Sequence, residues 1–147
     1  SNGYYTGIVS SPNSIMNPSA QPMTMKSTNG QLFNLYSIAI AAAWFDNLQL
    51  TVDGYKSNVV IVTNTFTIQV FAVSYLSFSG FSGLDKVIFT TSGGTKNSGV
   101  SGSGRHFSMD NICLSFIWIE EIDIHSMIYE EFYNLYFSLF YYILKFA

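Results

Sequence analysis

Leu48-Gln49-Leu50-Thr51-Val52-Asp53 is the stretch on which the fold turns. Apolar side chains at 48, 50 and 52 alternate with polar ones at 49, 51 and 53, the spacing at which successive residues fall on opposite faces of a β-strand. One face of this strand belongs in a core and the other in water. The cluster Asp53-Gly54-Tyr55-Lys56-Ser57-Asn58 that follows reads as a turn. Beyond it, Val59-Val60-Ile61-Val62 and Thr65-Phe66-Thr67-Ile68 form a long β-branched stretch. Phe71–Phe78 and Lys86–Thr91 are further strand candidates, separated by the Ser79–Gly83 turn. Upstream, the Asn29-Gly30 turn signal precedes another candidate, Leu32–Ile40, while Ala41-Ala42-Ala43 reads as the start of a short helical turn.

Strands recurring every ten to twelve residues or so between Gly, Asn and Ser turns predict an all-β chain, an antiparallel β-sandwich or jelly roll. Residues 92–104, SGGTKNSGVSGSG, cannot pack apolar side chains and are expected to form a long surface loop. Ile112, Leu114, Phe116 and Trp118 resume the alternation. From Met127 to Ala147 the chain is apolar on every side, with Glu130 and Glu131 early and Lys145 late, signs that suit a helix macrodipole. The expected organisation is therefore a β-sandwich domain over 1–116 and a hydrophobic, helix-compatible C-terminal extension over 117–147. The uncharged run Phe132–Leu144 is 13 residues, about 20 Å as a helix. A bilayer core is about 30 Å thick, so contact with a membrane surface is open to this tail and spanning alone is not.

Composition narrows the function classes. Of 147 residues 48% are hydrophobic and 10% charged, with a net charge of −3 and only six Lys and Arg. Phosphate contacts need clustered cations, so nucleic acid is not an expected partner. Residues 1–113 hold four acids and five bases, and the rest hold five acids and Lys145 alone. The first part is thus close to neutral, and its surface polarity comes from Ser, Thr, Asn and Gly, a composition common on exported bacterial β proteins. Its opening residues, SNGYYTGIVSSPNS, have neither a basic nor an apolar leader region, so an exported form would already have lost its leader. Cys113 is the only cysteine; it allows no intrachain disulfide and reads as a small buried thiol on a strand.

Motifs for catalysis fall short. Gly94 and Gly99 have the spacing of a phosphate loop, but Val100 stands where the lysine belongs. Ser101 or Ser103 with His106 and Asp110 lacks the G-x-S-x-G elbow, and His106 and Asp110 on one strand would be about 13 Å apart. His106 and His125 are isolated from each other and lack metal-site spacing. A glycan-active hydrolase would need two carboxylates across a cleft, for which Asp46 and Asp110 are the pair to nominate. No catalytic residue is assigned and the chain is expected not to be an enzyme. Asp110 and Asn111 are candidate oxygen ligands for a structural calcium ion, and Asp46-Asn47 a further pair; the alternative is that both pairs cap turns. Trp44, Asp46, Asn47, Tyr55 and His106 are the candidate ligand-binding residues, the aromatics offering faces to a sugar beside planar polar groups.

Three segments, Ile40–Tyr55, Leu84–Gly94 and Gly102–Ile112, together resemble the uncharacterised secreted bacterial β-sandwich domains found in PEP-CTERM-sorted proteins. The likeness covers about residues 20–114. It implies an exported jelly roll of the carbohydrate-binding-module kind, located outside the cell or at its surface, with a glycan as partner and no catalytic residues to transfer. The tail departs from that pattern, having no Pro-Glu-Pro motif and no terminal basic cluster. It is either a genuine extension or the read-through of a shifted frame. The expected function is a non-enzymatic extracytoplasmic binding or surface module. The alternative is a self-assembling surface protein that forms homo-oligomers through residues 127–147, because so many apolar side chains must be covered.

Overall fold

The computed structural model describes residues 3–10 and 13–118. They form a β-sandwich of two antiparallel four-stranded sheets. A short 3-10 segment, Gly3–Gly7, is followed by β1 (Ile15–Met16), β2 (Met23–Lys26), β3 (Phe33–Ala42), β4 (Phe45–Lys56), β5 (Val59–Ile68), β6 (Ser74–Ser77), β7 (Lys86–Lys96) and β8 (Phe107–Phe116). Sheet A has the order β1-β8-β3-β6 and sheet B the order β2-β7-β4-β5. The helix-compatible reading of the C-terminal extension lies outside the described residues from 119 onward.

Strand β4 behaves as the alternation at 48–53 predicts. Leu48, Leu50 and Val52 are wholly buried, and Gln49, Thr51 and Asp53 face outward from sheet B. The turn signal at 53–58 narrows to Ser57-Asn58. Both take positive φ (51° and 63°), the backbone hand of a two-residue hairpin, and β4 runs on through Lys56. The two β-branched stretches merge into the single strand β5. The core between the sheets is filled from β3 (Phe33, Leu35, Ile38, Ile40), β4, β7 (Val87, Phe89) and β8 (Phe107, Met109). Phe66, Phe78 and Phe81 close one side of it, with ring centroids 5.6 Å and 4.9 Å apart in successive pairs. Burying each such side chain contributes about 1.5–3 kcal/mol, so the fold rests on this layer.

Three local expectations change. Ala41 and Ala42 end β3 instead of starting a helical turn. The surface loop begins at Asn97, because Ser92–Lys96 extend β7 and pair with β4 as far as Phe45. Cys113 lies on β8 but is exposed. A bulge explains it: the β3–β8 register steps from Ala39↔Asp110 to Ser37↔Cys113, and Asn111 absorbs the extra residue with φ 48°. An inserted residue reverses the alternation. Before the bulge Phe107 and Met109 face the core; after it Ile112 and Leu114 do, and Cys113 turns out.

Candidate functional site

The two sheets present very different outer surfaces. On sheet A, Ala39, Ala41 and Ser108 point away from the core yet are fully buried, because residues 3–10 lie across them. A Cβ at Gly3 would overlap the Ala43 carbonyl, and one at Gly7 would overlap Ser108, so the segment seats only because these positions lack side chains. Ser108 Oγ donates to the Tyr4 carbonyl at 2.8 Å. Asp110 completes the attachment. Its carboxylate accepts the Val9 and Ser10 N–H groups at 2.9 Å and 2.7 Å, the Ser10 hydroxyl, and the Asn111 N–H at 2.7 Å. These donors, the Ser10 N–H foremost, pull its pKa down from the ordinary 3.8 to about 2.

That arrangement bears on the calcium reading. A calcium ion takes roughly six to eight oxygen ligands, and the Asp110 carboxylate is already filled by donors from its own chain. Among the described residues no three His, Cys, Asp or Glu side chains gather. Asp110 and Asn111 therefore do not fit the ion. Their geometry is that of a bulge clamping the N-terminal segment.

Trp44, Asp46, Asn47 and His106 come together at one end of the sandwich, and each is engaged within the chain. The Tyr4 ring meets Trp44 edge-on at 5.2 Å, and the Tyr4 hydroxyl lies 2.7 Å from His106 Nδ1. Gly102 presses on the Trp44 ring, where an added Cβ would come within 2.5 Å. Asp46 accepts the Val70 N–H at 3.0 Å and the Asn97 side-chain amide at 2.6 Å. Asn47, with φ 52°, exchanges hydrogen bonds with the Gln69 amide at 2.8 Å and 2.9 Å. Asp46 and Asp110, the nominated carboxylate pair, belong to different sheets. Tyr55 lies at the far end of β4, about 35 Å along the strand from Trp44.

Tyr55 belongs instead to the open outer face of sheet B. Register fixes the rows of that face. Thr67, Gln49 and Ser92 make one; Thr65, Thr51 and Thr90 the next; Thr63, Asp53, Ile88 and Thr24 the third; Val60, Tyr55, Lys86 and Lys26 the last. The face measures about 20 Å by 14 Å from strand rise and spacing. Some of its groups bond to one another: Gln49 Nε2 donates to Thr67 Oγ1 at 3.0 Å, and Thr63 Oγ1 to Asp53 at 2.6 Å. Lys86 Nζ sits 4.4 Å from the Tyr55 ring centroid. The Thr65, Thr51 and Thr90 hydroxyls have no hydrogen-bond partner among the described residues.

Motif reasoning passes over this threonine face. Its signal was the alternation itself: Thr63, Thr65 and Thr67 two residues apart, set beside Gln49, Thr51 and Asp53. Only the register shows that Thr90 completes the middle row. An apolar cleft of about 290 Å³ opens on the opposite edge of the sandwich, lined by Ile15, Met23, Met25, Met109 and Ile112. No family model and no curated protein matches the chain.

Proposed function

We propose that the protein is a non-enzymatic binding module working outside the cytoplasm, and that its ligand is a neutral glycan held on the outer face of sheet B. The observation that carries this reading is the row Thr65–Thr51–Thr90. It sets three hydroxyls, unengaged among the described residues, about 4.8 Å apart on a rigid sheet. A sugar offers hydroxyls that both donate and accept, and threonine hydroxyls answer in kind. The Gln49 amide and the Tyr55 phenol flank the row within the same face. Within this face charge is confined to Asp53, already bonded to Thr63, and to lysines at one end, which favours an uncharged ligand.

Calorimetry of the full chain against glycans selected from an array tests the reading. A neutral polysaccharide should bind, and replacing Thr51, Thr65 and Thr90 together by Val should weaken it at least about tenfold, since each hydroxyl bond is worth about 1 kcal/mol. Valine keeps the branched shape, so circular dichroism should be unchanged. Absence of any glycan ligand, or equal binding by the triple variant, overturns the assignment.

A further inference from the structure

A sheet edge exposes a row of unpaired N–H and C=O groups, and proteins blunt such edges with short strands, charges or proline. Three of the four edges among the described residues follow that rule. β1 has two residues, β6 four, and β2 four ending in Lys26. β5 breaks it. Val59–Ile68 is ten residues long and contains no charge, no proline and no glycine. Apart from its ladder with β4, its backbone receives no hydrogen bond from the described residues. Val59, Val60 and Ile61 are exposed along it.

The strand is also complementary to itself. Around Asn64 it reads Val62-Thr63-Asn64-Thr65-Phe66. We propose that β5 pairs antiparallel with β5 of a second copy about a two-fold axis at Asn64, joining the two B sheets into one of eight strands. Thr63 then lies opposite the second copy's Thr65, and Val62 opposite its Phe66, so hydroxyl meets hydroxyl and apolar meets apolar. Val62 and Phe66 are only partly buried within one copy, and this contact completes their cover. Asn64 is half-buried and its amide has no partner among the described residues. Two carboxamides at a two-fold each donate one N–H and accept one. No charge opposes another, because the nearest charged positions on sheet B, Asp53 and Lys56, lie one strand inward. Thr65 is shared with the proposed glycan row, but the pairing rests on the backbone edge of β5, and sedimentation without glycan reads it independently.

Sedimentation velocity of the full chain tests it with two variants at exposed positions. The unaltered chain should sediment as a dimer. T63K/T65K places lysine opposite lysine twice and should raise the dissociation constant at least about tenfold. T63K/T65E sets each lysine opposite a glutamate of the other copy and should restore the dimer. A monomeric unaltered chain, undiminished association of T63K/T65K, or no recovery in T63K/T65E overturns the proposal; circular dichroism shows that both variants fold.

Discussion

The outer faces of sheets A and B start from the same strand chemistry and end in opposite states. On sheet A the outward positions of β3 shrink to alanine, at Ala39 and Ala41, and the chain lays its own residues 3–10 on them. On sheet B the outward positions are threonine, glutamine and aspartate, and none of the described chain covers them. Small apolar residues make a seat for backbone; branched hydroxyl residues make a surface that stays solvated and keeps its shape. The difference gives one face to stability and leaves the other open to solvent.

Mutations on the two faces should differ in effect. The largest effect is expected from Gly7→Ala, whose new methyl must displace the Ser108 backbone or lift the segment away. Urea unfolding should show a loss of about 2 kcal/mol, typical of overpacking a closed contact. Amide exchange should report lost protection at residues 3–10; retention of both would mean that the segment is not part of the folded unit. Ser108→Ala removes a buried hydroxyl and its bond to the Tyr4 carbonyl, with an expected loss of about 1 kcal/mol in the same experiment.

The third test concerns acid. Because the Asp110 pKa in the folded chain lies below that of a free carboxyl, its contribution is present above about pH 4 and is lost as pH falls toward 2. Exchange protection of residues 3–10 should fall through that window, and Asp110→Asn should flatten the profile. An unchanged profile in Asp110→Asn would place the clamp elsewhere. The smallest effect belongs to sheet B. Thr51→Val should alter stability by no more than about 0.5 kcal/mol, because the hydroxyl bonds nothing among the described residues. A larger loss would show that the open face is structural after all.

Much of the sandwich was legible in the residues because period-two alternation follows directly from the pleat, as at Leu48–Asp53. The bulge at Asn111 was not. It reverses which side chains face in, and nothing local at Cys113 announces that reversal, although an asparagine at positive φ is the residue type that tolerates it. The covered face was equally hidden, since Ala41-Ala42-Ala43 carries no polarity to say which side is wet. Trp44, Asp46 and His106 looked available because their residue types bind ligands. Their partners, Tyr4, Val70, Asn97 and Gly102, come from distant segments that only the fold assembles.

Asp110 stands 100 residues after the Ser10 amide that it holds. A ribosome adding about 5–20 residues per second needs roughly 5–20 s to cover that interval. Throughout it, residues 3–10 lack a complete seat, since half of that seat is β8. The clasp therefore cannot close before β8 has been made, and its closure reports that the last strand of the described sandwich is in place.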